Sequence, residues 1–182
     1  FIAVWGKKTI GIAYSLALSE LILAPVTPSN TARGGGIIHP IMRAIAGSYG
    51  SDPEKGTQGR MGRYLALTNY HANPITSAMF ITATAPNPLV VKLIADVTGA
   101  QISLSWGTWA LAMLLPGLVA LAVMPLLIYL LEPPEIKSTP NAMQFAREKL
   151  RDLGPVSRGE LIMLGVDRKS TRLNSSHSLL SR

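Results

Sequence analysis

The feature that most constrains this chain is a run of 26 residues, Trp106–Leu131, that contains no charged side chain. A helix needs about 20 apolar residues to cross the hydrocarbon core of a bilayer, so this run is long enough to span. It contains Pro116 and Pro125, which membrane helices tolerate as kinks. Only 15% of the chain is charged, against roughly a quarter in average globular proteins. The sequence therefore predicts an all-α integral membrane protein.

A second stretch, 64–91, is uncharged when histidine is neutral, but prolines interrupt it. The segment "TATAPNP" at 82–88 cannot form an ordinary helix, because proline disfavours the helical conformation in the residue before it. We therefore predict a transmembrane helix that is unwound at Ala85 and Asn87. Irregular backbone at membrane depth is tolerated only where protein buries it or where it lines a cavity.

The segment 9–49 places "TPSNTARGGG", a polar and glycine-rich interruption, between two apolar arms. The first arm, 9–26, has 18 residues and could just cross a bilayer. The second arm reaches Arg43 only seven residues after Gly36, which is too short to cross. This combination predicts a re-entrant helical hairpin that enters and leaves at one membrane face.

The positions of the cations test this topology. With a re-entrant hairpin, eleven of the 13 Lys and Arg residues before position 167 share one side of the membrane. They are Lys7, Lys8, Arg43, Lys55, Arg60, Arg63, Lys137, Arg147, Lys149, Arg151 and Arg158. The positive-inside rule makes that side cytoplasmic. If the first arm spanned the membrane and the second did not, Lys7 and Lys8 would lie opposite the other nine cations.

Beyond the long helix we predict an amphipathic helix over 139–153 that lies on the cytoplasmic surface, with a solvated linker helix as the alternative. Another transmembrane segment begins at 161–166. The last sixteen residues, 167–182, switch abruptly to Ser, Arg and Asn. They are typical of translated adapter sequence, and we predict that they are not native; a polar terminal tail is the alternative.

This tail contributes much of the chain's basicity. It holds four of the 17 Lys and Arg residues and one of the ten acids, so the rest of the chain has 13 cations against nine acids. A nucleic-acid partner is therefore not expected. Because the chain opens on Phe1, we expect 1–166 to be a fragment of the membrane domain of a longer protein.

The two interruptions, at 27–40 and at 82–88, together indicate a binding site. Paired discontinuous segments are typical of transporters that bind substrate near the bilayer midplane. Ser29, Asn30 and Thr31 supply hydroxyl and amide groups that can donate to a carboxylate or coordinate a hard cation such as Na⁺. The glycines at 34–36 would let backbone N–H groups approach an anion closely. The alternative is a polar cap that satisfies its own backbone.

Arg33 is the most informative single residue of this pattern. An arginine at membrane depth is costly, so it is expected to be functional or paired. Two interpretations stay open, namely that Arg33 neutralises the substrate's charge or that it pairs with Glu20. The interruptions contain no Asp, Glu or Cys, and His39 and His71 lack a third metal ligand. We therefore expect a carrier and not an enzyme; a membrane scaffold subunit and a channel are the alternatives.

The stretch "GKKTIGIAYSLALSELILAPVTPSNTARGGGIIHPI", followed by "ITSAMFITATAPNPL", resembles the divalent anion:sodium symporter family. The likeness is greatest to bacterial citrate/succinate-type carriers and plastid 2-oxoglutarate/malate translocators. The resemblance implies a homodimeric secondary carrier of di- or tricarboxylates, built from two inverted repeats and moving by an elevator-like mechanism. It would lie in the bacterial inner membrane or, alternatively, in the plastid inner envelope, with the lipid bilayer as its surroundings.

The resemblance also implies the site residues. The family's first Ser-Asn-Thr motif falls on Ser29, Asn30 and Thr31, which would bind a substrate carboxylate. The expected substrate-binding set is completed by Arg33, Thr84, Pro86 and Asn87. A possible Na⁺ site would use Ser29, Asn30, Ala83 and Asn87. No other cofactor is expected.

This chain departs from the sodium-coupled members at two positions. Those members tend to have a hydroxyl residue four positions before the motif serine and a glycine before the unwound threonine. Here the two positions hold Pro25 and Ala83. Together with Arg33 as a fixed cation, these departures favour sodium-independent exchange of dicarboxylates, with Na⁺-coupled symport as the alternative.

Overall fold

The structure is a computed structural model that describes residues 1–102 and 104–153. The chain divides into two compact units, Phe1–Arg147 and Glu148–Arg182. The site described below lies within the first unit. The predictions made for Arg158, for 161–166 and for the tail at 167–182 lie outside the described residues.

The described residues are helical and contain no strand beyond one isolated bridge, between Lys8 and Ser138. The helices are α1 (Ile2–Trp5), α2 (Thr9–Leu23), α3 (His39–Ser48), α4 (Gly62–Met79), α5 (Pro86–Val97), α6 (Trp106–Leu131) and α7 (Pro140–Leu153). A π-helical turn (Ala32–Ile38) leads into α3, and short 3₁₀ turns occupy Gln58–Arg60 and Ile81–Ala83.

Helix α6 has the bounds that the sequence predicts, and among the described residues it is the one helix long and apolar enough to cross a membrane. It buries a single stripe of residues, spaced three or four apart along one helical face: Gly117, Leu121, Pro125 and Ile128. Leucines on its other faces are open, as at Leu111 and Leu115. A helix with apolar residues all round suits a lipid environment on the faces that protein does not cover.

Backbone hydrogen bonds bring the start of α2, the start of α4 and the end of α6 to one end of the unit, which we call the base. The N–H of Thr139 donates to the carbonyl of Lys7 over 2.9 Å, and the N–H of Ile136 donates to the carbonyl of Arg60 over 2.8 Å. The base therefore gathers cations that the sequence places on one membrane face: Lys7, Lys8, Arg60, Arg63 and Lys137.

The segment from α2 to α3 forms a hairpin on this base. Helix α2 rises from the base, the chain turns, and α3 returns so that its Ala46 lies against Gly62 at the start of α4. At a rise of 1.5 Å per residue, α2 is about 22 Å long and α6 about 39 Å. The hairpin therefore extends along only part of the length of α6.

The main core lies near the base, where the hairpin packs on α4 and the end of α6. It includes Ile12 and Leu16 of α2, Met42 of α3, Tyr64 of α4 and Ile128 of α6. Each of these side chains is buried, so the contact between hairpin and α4 is a continuous apolar seam at this end. The seam becomes polar farther from the base.

The second predicted membrane segment is divided as follows. Helix α4 passes through Pro74 without ending, the chain leaves the helix at 80–85, and α5 begins at Pro86. Asn87, which the sequence analysis placed in unwound backbone, lies in the first turn of α5 instead. The reason is that Pro86 occupies an early helical position, where its fixed φ fits and its missing N–H costs nothing.

Candidate functional site

The hairpin tip carries the Ser-Asn-Thr motif. The Oγ of Ser29 accepts a hydrogen bond from the N–H of Ala32 over 3.2 Å, which caps the start of the returning arm. The Oδ1 of Asn30 accepts from the N–H of Thr31 over 2.9 Å. Ser29 and Thr31 are exposed and Asn30 is half-buried. The motif thus presents polar groups at an open surface while satisfying part of its own backbone.

Arg33 follows this motif but points into the protein. Its Nε lies 2.7 Å from the Oε1 of Glu20, and both side chains are 0% exposed. Of the two interpretations that the sequence left open, the structure shows the ion pair with Glu20. In this conformation no part of the guanidinium is open to a ligand in the groove outside.

The other guanidinium nitrogens of Arg33 meet a shell of oxygen atoms. Nη2 donates to the hydroxyl of Ser77 over 2.7 Å and to that of Thr76 over 3.3 Å. Nη1 donates to the carbonyls of Thr27, over 3.2 Å, and Ala83, over 3.4 Å. One side chain therefore joins the hairpin, helix α4 and the break after α4.

Asn73 of α4 forms a second connection beside the ion pair. Its Nδ2 donates to the Oε1 of Glu20 over 2.7 Å and to the carbonyl of Asn30 over 2.9 Å. A Cβ built on Gly34 would lie 2.6 Å from this nitrogen, so only glycine leaves room for the contact. This close contact is made with another side chain of the protein, and the predicted approach of glycine N–H groups to an anion stays a prediction. Gly35 has open space around its Cα.

Sequence analysis did not single out the polar face of α4. Asn69, Asn73, Thr76 and Ser77 follow one another at intervals of four, three and one, so they share one side of the helix. The usable signal was this helical period of polar residues within an uncharged membrane segment. Asn69 is 8% exposed, its Nδ2 donates to the carbonyl of Gly34 over 3.4 Å, and its Oδ1 has no partner among the described residues.

The break at 80–85 is stabilised by side chains on both sides of it. The Nδ2 of Asn87 donates to the carbonyls of Ser77, over 2.7 Å, and Phe80, over 2.9 Å, which lie where α4 ends. The hydroxyl of Thr82 donates to the carbonyl of Pro25 over 3.1 Å and so ties the break to the hairpin. These contacts satisfy backbone carbonyls that the interrupted helix leaves free.

The predicted site residues are thus brought together only in part. Arg33 links the hairpin to the carbonyl of Ala83. No hydrogen bond within the described residues joins the Ser-Asn-Thr motif directly to Thr84, Pro86 or Asn87. The candidate Na⁺ ligand Ala83 directs its carbonyl at the Arg33 guanidinium. No group of three or more His, Cys, Asp or Glu residues that could hold a metal occurs in the described part of the chain.

An open groove of about 720 Å³ runs between the hairpin tip and α4, and we call it the tip groove. The hairpin contributes Asn30, Thr31, Gly35 and His39 to its wall, among others. Helix α4 contributes residues that include Asn69, Tyr70 and Asn73. The described lining combines apolar carbon with amide, hydroxyl and imidazole groups, and a few polar groups among apolar walls are typical of small-molecule sites.

Comparison with known proteins places this arrangement in a family. A family model described as "Sodium:sulfate symporter transmembrane region" matches residues 1–169. "Putative malate transporter YflS" of Bacillus subtilis (strain 168) is 52% identical over 166 residues, which are 91% of this chain and 34% of that protein. "Dicarboxylate transporter 1, chloroplastic" of Arabidopsis thaliana is 44% identical over 163 residues, 90% of this chain and 29% of that protein.

A third relative is the "L-tartrate/succinate antiporter" of Escherichia coli (strain UTI89 / UPEC), which is 41% identical over 161 residues, 88% of this chain and 33% of that protein. The chain spans about a third of the length of the curated relatives it matches. The resemblance seen in the sequence is confirmed, because the family model covers most of the chain. The chain therefore belongs to the sodium:sulfate symporter family of membrane transport proteins, which includes the divalent anion:sodium symporters.

Proposed function

We propose that this chain forms part of the membrane domain of a secondary active carrier of di- or tricarboxylates, and that the carrier works by anion exchange. The substrate class is supported by the names of the relatives, which include malate, dicarboxylate and tartrate/succinate transporters. Their range of substrates does not favour one carboxylate over another. The alternative within the same functional class is Na⁺-coupled dicarboxylate symport. A channel and a non-transporting scaffold subunit are further alternatives from other classes.

The observation that supports exchange is the position of Arg33. Its guanidinium is surrounded by one carboxylate oxygen, two hydroxyls and two backbone carbonyls. Such oxygen atoms are the ligands that hard cations prefer. The guanidinium of Arg33 occupies this oxygen shell in place of a hard cation, and Glu20 balances its charge. A carrier whose own side chain fills this oxygen shell does not need a sodium ion there, and exchange of one anion for another keeps the charge balance.

We propose that the substrate binds on the open side of the same tip. Asn30 and Thr31 line the tip groove and would donate to a carboxylate, with Ser29 holding the turn in shape. Arg33 would act from behind by holding the hairpin tip on α4 and on the break, without touching the substrate. Thr84, Pro86 and Asn87 would form the opposite wall at the break, and the rest of the pocket would come from a second repeat.

We further propose that the hairpin at 9–49 is re-entrant. The support is that both of its ends lie at the base, together with cations of α4 and of the segment after α6, and that α2 is much shorter than α6. In this arrangement α4 and α5 form the discontinuous transmembrane helix, α6 returns to the base, and α7 lies at the membrane surface. The full carrier would be a homodimer in a bacterial inner membrane or, alternatively, in a plastid inner envelope.

Uptake by the full-length parent in proteoliposomes tests the proposed function. Radiolabelled malate should enter liposomes preloaded with a dicarboxylate, with or without Na⁺, and should not accumulate in empty liposomes. Strict dependence on Na⁺ without any internal dicarboxylate would replace exchange with symport. Flux that is insensitive to internal anion and does not saturate would indicate a channel.

A substitution of Asn30 tests the site itself. Asn30→Ala in the parent should abolish dicarboxylate uptake while leaving its amount in the membrane unchanged, because the amide is expected to bind a substrate carboxylate. Asn141→Ala is a matched control, since Asn141 is an exposed asparagine of α7. Normal uptake by the Asn30 variant would remove that side chain from the site.

A further inference from the structure

A second groove opens at the base of the hairpin, next to the tip groove. It measures about 920 Å³ and lies between α3, the start of α4 and the loop that joins them, and we call it the basal groove. Its walls carry Arg43, Lys55, Arg60 and Arg63, against two acidic residues, Asp52 and Glu54. These described charges give it a formal excess of two positive charges.

Salt bridges neutralise this positive charge only in part. Lys55 lies 3.7 Å from Asp52, and Arg63 lies 2.9 Å from Glu132 outside the groove. Within the described residues, Arg43 and Arg60 form no salt bridge, and both are exposed. The positive charge that the groove presents to solvent is therefore concentrated at Arg43 and Arg60, with Glu54 in the same wall and Glu135 beside the neighbouring Gly59.

The two grooves adjoin. His39 and Ala66 line both of them, one from each wall, so the basal groove continues along the crevice between α3 and α4 into the tip groove. The charged side chains are confined to the basal part. Among the described residues that line the tip groove, the titratable side chains are His39 and Tyr70. The path thus runs from a cationic mouth to a neutral polar interior that ends at Asn30 and Thr31.

We propose that the basal groove is an electrostatic vestibule through which a dicarboxylate passes between the face of the membrane at the base and the tip groove. This inference rests on the proposed function, because it takes the carrier's substrate as the ligand. A groove whose walls carry an excess of one sign of charge and that is bounded by low-dielectric protein raises the local concentration of counter-ions and speeds their association. Neutral polar walls beyond the mouth then avoid holding the anion too tightly to release it.

The vestibule predicts an effect on one side of the membrane only. Association at the base should depend on the cations of the basal groove, whereas association at the opposite face should not. The effect should appear in KM and leave kcat unchanged, because Arg43 and Arg60 are remote from the Ser-Asn-Thr motif along the path. It should also weaken as salt screens the field.

The test uses the full-length parent in right-side-out and inverted bacterial membrane vesicles, with radiolabelled malate as the probe. Arg43→Glu combined with Arg60→Glu should raise KM about tenfold at the face where the base lies, with kcat and the KM at the other face unchanged. Arg43→Gln combined with Arg60→Gln should give a smaller increase in KM at the same face. High salt should reduce the difference in KM between each double variant and the unaltered parent. Lys92→Glu, which reverses an exposed cation of α5 outside both grooves, should leave both KM values unchanged.

Several results would overturn the vestibule. These are an unchanged KM at both faces, or an equal change at both. Loss of stability in detergent in step with activity would show that the arginines are structural. An effect that disappears in proteoliposomes of zwitterionic lipid alone would show that the groove binds anionic lipid instead. Absence of malate transport by the unaltered parent at either face would instead refute the proposed function, which separates the two failures.

Discussion

Helices α4 and α6 lie side by side, and both contain proline, yet only the first is followed by a break. Pro116 and Pro125 remain within one continuous helix of 26 residues, and Pro74 likewise lies within α4. Proline alone therefore does not interrupt a helix in this protein. The break at 80–85 occurs where side-chain donors can replace the lost helical hydrogen bonds. Asn87 and Arg33 donate to the carbonyls that the break leaves without a helical partner.

The two regions are also stabilised in different ways. Between the hairpin tip and the end of α4, directed contacts between polar groups dominate, and they depend on the chemical identity of each partner. Along α6 the contacts depend on shape, as where Gly117 allows Met79 to approach the helix closely. Changes that preserve volume but alter hydrogen bonding should therefore damage the first region, and changes that preserve apolarity but add volume should damage the second.

The largest effect is expected at the buried ion pair. Glu20→Gln nearly preserves volume but leaves the Arg33 guanidinium without its counter-charge, which costs about 3–5 kcal/mol when one partner of a buried pair is removed. Thermal unfolding of the purified parent in detergent measures this loss. Replacing both residues by methionine should cost less than the sum of the two single replacements.

Glu132→Gln provides the control, because it breaks the pair with Arg63, in which the side chains are 52% and 43% exposed. Exposed pairs contribute at most about 1 kcal/mol. If the two glutamine variants unfold at the same temperature, or if the double replacement is additive, the ion pair does not hold the hairpin to α4.

A smaller loss is expected at the break. Asn87→Asp keeps the shape of the side chain but removes both donors, so the half-buried carbonyls of Ser77 and Phe80 lose their partner, at about 1 kcal/mol for each hydrogen bond lost. Both the unfolding temperature and malate uptake by the parent should fall. Asn141→Asp makes the same change at an exposed position and should alter neither. Equal behaviour of the two variants would show that Asn87 is not needed to hold the break open.

The shape-dependent contact in α6 is tested by adding one methyl group. A Cβ on Gly117 would lie 2.5 Å from both Cγ and Sδ of Met79, which is buried. Gly117→Ala should therefore destabilise the parent by about 1–3 kcal/mol through overpacking. Gly107→Ala in the same helix meets only the Oγ of Ser105, at 3.9 Å, and should be neutral or stabilising. A stable Gly117 variant would mean that the Met79 side chain can move aside without loss of packing between α4 and α6.

The smallest effect is expected in the glycine run of the hairpin. Gly34→Ala would displace the Asn73 amide and lose hydrogen bonds worth about 1 kcal/mol each, whereas Gly36→Ala meets nothing within 4 Å. Malate uptake should therefore fall for the first variant and persist for the second. Comparable loss in both would indicate that the run is needed for backbone flexibility and not for the contact with Asn73.

The sequence predicted the elements whose signals are local. The bounds of α6 follow from its apolar length, and the existence of a break after α4 follows from closely spaced prolines. The predicted break extended to Asn87, whereas the observed break ends before Pro86. The difference arises because a proline can start a helix as well as end one. The π-helical turn was not predicted. It forms where Pro40 has no N–H to donate, and the N–H of His39 reaches back to the carbonyl of Gly34.

The site was less predictable because it depends on which surfaces meet. Arg33 beside a membrane arm could equally face a substrate or Glu20, and both arrangements compensate its charge. Asn73, Thr76 and Ser77 contact the site only because the hairpin packs on their side of α4. That contact joins residues more than 40 positions apart, and no short-range pattern specifies it.

The ion pair between Glu20 and Arg33 also has a consequence for how the protein enters the membrane. Both residues belong to the hairpin and are only 13 positions apart, so each can neutralise the other before α4 has been synthesised. An isolated charge at the bilayer centre costs about 2.5–3.5 kcal/mol on insertion scales. The part of the hairpin at 9–40 thus carries no formal net charge during insertion, with Arg43 left at the base, and hydroxyls of α4 arrive later to complete the shell around a charge already paired.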